Sequence, residues 1–292
     1  MGFIVTVNII AVVLSYFAKY KKCKFLFSFA FILLTVIYSL RYDFGNDYWG
    51  YFETFHECQI YDSEDLRIEI GWYYLCKLCA PIGFFGLVIV TTIFQNLIVY
   101  KFIKKNVEEN WWWLAVFIFT FNFNYMLLGC SMMRQYTAMV LCLWASQYIL
   151  NKRFILFAFF VGLAISMHTS AILFALTYFF AYFRPSLYKK YVIMISLVVV
   201  CVMIAFSELI DATINQFLTL AFFESYETYS DWEAGTKSLG IVFELMMMAI
   251  LMFSHPKQES NIQIYNCTML LYYFIMPFTF GILIINRLSF YY

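Results

Sequence analysis

The sequence predicts an all-α, polytopic integral membrane protein with about ten transmembrane helices. Three observations carry that reading. First, 64% of the 292 residues are hydrophobic and 13% charged, against about 45–50% and about 25% in ordinary soluble domains. So few charges cannot clothe that much apolar surface, which excludes both a soluble monomer and a disordered chain. Second, uncharged apolar runs recur along the chain. Many approach the roughly 20 residues that about 30 Å of hydrocarbon requires. Third, charge segregates by sign between alternate connections. Phe, Tyr and Trp make up 23%, a composition suited to lipid and its interfaces.

In order, the apolar runs are 3–18, 25–40, 82–100, 111–128, 131–150, 154–167, 169–183, 191–207, 238–253 and 262–283. The first has no basic residue before it and Lys19, Lys21, Lys22 and Lys24 after it. That is the reverse of a signal peptide and predicts a retained span with its N-terminus outside. Thirteen of the 19 basic residues fall on one set of connections, which is thereby cytoplasmic. Fourteen of the 18 acids fall on two long outer loops, about 41–69 and 208–237. On this topology Cys58 is reachable from outside and Cys23 is not. With no internal repeat, linker or low-complexity tract, 1–292 reads as a single transmembrane domain with both termini extracytoplasmic. Cys130, Cys142, Cys201 and Cys267 lie in or beside apolar runs and act as small hydrophobes. Nothing resembling a redox strand precedes Cys76-x-x-Cys79.

The Arg residues oppose the topological trend. Eleven of 13 Lys are cytoplasmic, but four of six Arg (Arg41, Arg67, Arg134 and Arg287) lie on the outer side. Arg presents a planar fork of donors that binds phosphate bidentately. An outer Arg cluster therefore points to an anionic ligand such as a phosphate-bearing lipid. Arg134 is the single formal charge in 111–150. A turn near 129–131 sets it within about one helical turn of the outer end, where a charge costs about 2.5–3.5 kcal/mol on insertion scales. It either faces a watery cavity or an anion, or snorkels to the headgroups. Gln135 follows it, and Ala138, Cys142 and Ala145 continue a small-residue face that lets a neighbour approach closely.

Other residues interrupt the pattern. Residues 154–183 carry no formal charge and have His168 at their midpoint. Thirty residues make a short hairpin, so His168-Thr169-Ser170 is expected at a recessed outer turn. There His168 either moves a proton or joins two helices by a hydrogen bond. The run 25–40 ends in Arg41, and the Gly45-Asn46-Asp47 turn signal brings Arg41 and Asp47 to one outer rim. Glu69 opens a short interfacial helix over 70–80, as a helix-dipole acid or a site acid. Residues 210–223 read as a second interfacial helix, and Glu244 in the outer half of a span has no evident partner.

These residues together resemble the EpsG family of Wzy-like polysaccharide polymerases. The resemblance rests on Arg41-x-x-x-Gly45-x-Asp47 with Tyr51, Glu69-x-Gly71, Arg134-Gln135-x-x-Ala138, His168-x-Ser170-Ala171 and Arg287, in that order along nearly the whole chain. Ile70 stands where the family usually has Pro. The chain stops soon after Arg287, where family members continue with further helices, which implies a shortened C-terminus. The resemblance implies a GT-C-like membrane glycosyltransferase of the bacterial cytoplasmic membrane with its active site on the extracytoplasmic side. Its donor and acceptor would be undecaprenyl-diphosphate-linked repeat units for O-antigen, capsule or exopolysaccharide. A flippase and a chain-length regulator would be its partners, with no nucleic acid. Arg41, Arg134, Gln135 and Arg287 would bind the diphosphate, and His168, Asp47 and Glu69 would be catalytic.

The residues themselves leave alternatives. A flippase for the same lipid-linked glycans shares an outer Arg cavity, but the cytoplasmic halves of the spans are nearly free of ionisable groups. An acyltransferase wants a donor site reachable from the cytoplasm. A ligase shares donor and chemistry and is not separable at this level. No Asp-x-Asp motif and no His/Cys cluster with metal spacing is present, so no cofactor or obligatory metal is expected. Among the three proton candidates, Asp47 would be held ionised by a nearby Arg41 and Glu69 by its helix terminus. His, with an ordinary pKa of about 6.5, is the expected base at 168, or a further diphosphate donor if protonated.

Overall fold

The computed structural model describes residues 2–20, 23–180 and 198. Among these, all regular structure is helical. The expected spans 191–207, 238–253 and 262–283, the loop 208–237, the interfacial segment 210–223, Glu244 and Arg287 lie outside the described residues.

Helices α1 (Gly2–Phe17) and α2 (Phe25–Ser39) form from runs with no internal Pro. The chain cannot continue α2, because Asp43 and Gly45 take φ of 48° and 111°, left-handed values open to few residues. Two short outer helices follow, α3 (Tyr48–Ile60) and α4 (Ser63–Leu66). Arg67, at φ 49°, ends α4. Helix α5 (Ile70–Leu78) runs into a turn at Ala80–Ile82 that carries Pro81. Helix α6 (Gly83–Asn106) then crosses the bundle. Next are α7 (Trp112–Phe121), a π-helical turn at Phe123–Leu127, and α8 (Leu128–Ser131). Helices α9 (Met133–Leu150), α10 (Phe154–Met167) and α11 (Ala175–Phe180) complete the described part, with a 3-10 turn at Thr169–Phe174.

The chain divides into two compact units. The first comprises Met1–Gln147 and Ile155–Ile172, and the second Tyr148–Phe154 and Leu173 onward. In the first, α1 packs on α2 and α7, and α2 on α6. An aromatic stack holds this group: the Phe27 ring lies 4.3 Å from Trp112 and 5.3 Å from Tyr100. Helices α3 and α5 pack on each other around fully buried Trp72, with Tyr51 edge-on to it at 5.5 Å. In the described part of the second unit, Phe154 meets Tyr178 edge-on at 5.1 Å.

The outer surface is apolar as well as the core. Phe25, Phe29, Ile32 and Val36 recur every three or four residues on α2 and point outward. On α6, Val90, Ile93 and Leu97 do the same. The interior holds Asn8, Thr91, Thr92, Gln95, Asn96, Thr120 and Thr137. These join helices: Asn8 donates to the Thr120 carbonyl at 3.2 Å, Asn96 to Thr35 at 3.1 Å and Gln95 to Thr137 at 3.0 Å. Polar groups joining helices inside an apolar core, under an apolar outer surface, are the arrangement that lipid favours.

Ala80–Asn106 is long and apolar enough to cross a membrane, and Glu109–Phe121 with Tyr125–Ser131 passes as a pair bent by 42°. Helices α1, α2 and α10 are shorter and apolar. Several boundaries depart from expectation. Helix α6 runs past 100 to Asn106, because Lys101, Lys104 and Lys105 can extend from a helix end into water while their stems cover apolar surface. The run 111–128 is broken at Asn122, and the expected turn at 129–131 falls at Met132. The segment 41–69 is not a plain loop. Tyr48, Tyr51, Phe55 and Cys58 repeat at helical spacing and are buried, and that stripe makes α3. Cys58, expected to be reachable, has no exposed surface.

Candidate functional site

Three segments converge on Glu69. Its carboxylate sits immediately before α5, on a residue of extended backbone. Arg134, in the first turn of α9, donates from Nη1 to Oε2 at 2.8 Å. His168, just past α10, places Nδ1 2.8 Å from Oε1. The Thr169 backbone N–H also donates to Oε1, at 3.3 Å. The side chains are 13% exposed for Glu69, 22% for His168 and 33% for Arg134, so the cluster is recessed but open.

Small residues permit this approach. A Cβ on Gly71 would collide with the Ser166 side chain and come within 2.7 Å of its carbonyl oxygen. Gly71 therefore lets the start of α5 lie against the end of α10, and two residues earlier Glu69 meets His168.

Tyr51 supports the opposite side of the cluster. Its hydroxyl accepts from the Arg134 backbone N–H at 3.4 Å, and its ring lies 5.8 Å from the guanidinium carbon. A guanidinium at that range over a ring gains cation–π attraction.

The electrostatics fix the proton inventory. Burial pushes the Glu69 carboxyl up, but the His168 hydrogen bond and the Arg134 charge outweigh it and bring the value down to about 2. Glu69 is thus ionised at neutral pH and can only accept. His168 must donate from Nδ1, which in the neutral ring leaves the lone pair on Nε2. A carboxylate that holds a His in one tautomer and orientation is the arrangement of hydrolytic triads.

Not every expected site residue joins this cluster. Asp47 is exposed at the head of α3 and makes no side-chain capping bond. Arg41 is buried, at 7% exposure, and Nη1 donates instead to the Tyr38 carbonyl at 2.9 Å and Thr92 Oγ1 at 2.6 Å. No ion pair joins Arg41 and Asp47 among the described residues, so the shared rim is corrected: Arg41 is buried and Asp47 lies at the surface. Gln135 is buried beside Arg134 on α9. The Arg134–Glu69 pair was not foreseen, since 65 residues separate them and no local spacing links them. Tyr51 was legible as a motif residue, but its contact with Arg134 was not.

No curated protein and no solved structure matches the chain. The family model of the EpsG family matches residues 24–292, and the chain belongs to that family.

Proposed function

We propose that this membrane protein polymerises undecaprenyl-diphosphate-linked oligosaccharide repeat units at the outer face of the bacterial cytoplasmic membrane. The proposal includes about ten spans, a GT-C-like architecture and independence from metal ions. Family membership and the apolar outer surface support a polysaccharide-polymerising membrane enzyme. The single observation that carries the mechanism is the carboxylate of Glu69 held between His168 and Arg134.

In the proposed step, a sugar hydroxyl of the acceptor attacks the anomeric carbon of the donor glycan. His168 Nε2 takes the hydroxyl proton as the new C–O bond forms. The bond from the anomeric carbon to the lipid diphosphate breaks, and the diphosphate departs with the electron pair. Glu69 stabilises the imidazolium that results. The exposed part of the Arg134 guanidinium offsets charge on the leaving diphosphate, which needs fixed donors in a water-poor site. Gln135 belongs to the same proposed diphosphate site, and Asp47 to the acceptor-sugar side.

The test is a deletion strain complemented with the parent or with His168→Gln. Deletion should leave single lipid-linked repeat units on the outer leaflet, and only the parent should restore polymer. Repeat units trapped on the inner leaflet would instead identify a flippase, and full-length polymer held on the lipid carrier a ligase. Polymerisation by purified protein should persist in EDTA.

A further inference from the structure

An exposed aromatic rim stands at the start of α3. Tyr42 is 71% exposed and Trp49 47%, and their rings meet edge-on at 6.0 Å. Trp49 also meets Tyr48 at 5.5 Å and Phe52 at 5.6 Å, again edge-on. Among the described residues no ring lies flat on the indole, so these neighbours hold it without stacking over it. Its Nε1–H donates to Asp43 Oδ1 at 2.6 Å. That bond and the three edge contacts fix the plane of a ring that is nearly half in the open.

Lipid and sugar are the two occupants that suit an exposed Trp on a membrane protein. An interfacial Trp turns its N–H to headgroups or water, whereas this N–H is spent on Asp43. Asp43, Asp47, Glu53 and Glu57 are exposed, and no Lys or Arg other than the buried Arg41 stands in 41–60. Such a surface repels anionic headgroups and suits an uncharged, hydroxyl-rich ligand. One face of a pyranose is a row of C–H bonds, which packs on the negative face of an indole. The hydroxyls at its edge donate to carboxylates, which only accept and form the stronger, charge-assisted bonds. Asp47 spends no oxygen on capping α3. The rim also leads to the Glu69 cluster: the Asp47 carbonyl accepts from the Tyr51 N–H at 3.0 Å, and the Tyr51 hydroxyl meets Arg134. We propose that Tyr42, Asp43, Asp47 and Trp49 form a glycan-stacking subsite that takes an uncharged pyranose flat against Trp49, a proposal that rests on the polymerase reading for the source of the sugar.

The experiment uses the purified full chain in nanodiscs. The probe is the mixture of soluble oligosaccharides that mild acid releases from the bacterium's own surface polysaccharide. Saturation-transfer NMR should show binding by the parent, with transfer strongest at the C–H protons of one pyranose face. Trp49→Ala should weaken that binding about tenfold or more. Trp49→Phe keeps a flat ring and should retain most of it, which separates stacking from misfolding. A parent that binds no oligosaccharide, or a Trp49→Ala variant that binds at the parent's affinity, would overturn the subsite. The lipid alternative is read by fluorescence. Trp49's share, taken as parent minus Trp49→Phe, should be untouched by lipids brominated on their acyl chains, and quenching would place the ring in lipid and overturn the subsite. The polymerase reading fails separately: a deletion strain without accumulated repeat units sinks that reading, while binding through Trp49 would still uphold the subsite.

Discussion

Glu69 Oε1 and His168 Nδ1 lie 2.8 Å apart although 99 residues separate them in the chain. The contact sets the imidazole tautomer, because an ionised carboxylate can only accept. His168 then keeps its basic nitrogen, Nε2, free for a substrate.

If His168 is the base, His168→Gln lowers in-vitro polymerisation by about 10²–10⁴-fold with the protein still present in membranes. A His168→Gln variant running at the parent rate across the pH range reduces His168 to a packing residue.

Glu69 makes a prediction about acid stability. Its folded value of about 2 lies below the ordinary 4.5. A depressed carboxylate contributes stability that is complete above about pH 4.5 and is lost as pH falls towards 2. The contribution is of the order of 3 kcal/mol. Tm of the purified parent should therefore drop through that window more steeply than Tm of Glu69→Gln, and the two curves should converge near its acid end.

Arg134 should not tolerate Lys. Its guanidinium reaches Glu69 through Nη1 while lying over the Tyr51 ring. A Lys ammonium is a point charge and cannot span both. Arg134→Lys and Arg134→Ala should lose polymer alike, read as glycan length against membrane protein level. Full activity in the Lys variant would show that a charge at the interface suffices.

The two glycines on either side of the α5–α10 contact separate packing from propensity. Gly71→Ala drives a methyl into Ser166, and a clash of this kind costs roughly 1–3 kcal/mol. It should also pull Glu69 from His168 and lower activity. Ser166→Gly should not rescue it, since the backbone carbonyl stays in place. Gly162→Ala meets nothing within 4 Å and should be neutral or stabilising by up to about 1 kcal/mol. Equal behaviour of the two variants in thermal melts would remove the contact from the account.

Sidedness needs a better-placed probe than Cys58. Tyr61, at 51% exposure, ends α3 on the proposed outer side. Tyr61→Cys should react with a membrane-impermeant maleimide in intact cells, and Cys23 should react only after lysis. The reverse pattern would invert the topology.

The helical class and several boundaries were legible because they depend on local composition. The run 154–167 is a helix with the bounds expected, since an uncharged run between Arg153 and His168 has few alternatives. Helix α3 was hidden by the acids that surround it. Its buried stripe of Tyr48, Tyr51, Phe55 and Cys58 has helical spacing, but charge count concealed it. The candidate site was legible as a set of residue types and not as partners. Arg134 was expected to meet an anionic ligand, and it meets Glu69. Arg41 and Asp47 are six residues apart, yet one is buried and the other exposed. Long-range pairing depends on how helices cross, which a single sequence does not encode locally.

The left-handed turn at Gly45 sits so close to Cys130 that a side chain there would strike the Cys130 backbone, and the Asn46 N–H donates to Ser131 across 85 residues. This latch has a consequence for biogenesis. The segment after α2 leaves the ribosome long before the strand of chain that receives it, so it must wait unlatched while α3 to α8 are made and inserted. A chain arrested in that interval would keep its Gly45 turn unlatched, because Cys130 and Ser131 would not yet be in place to receive it.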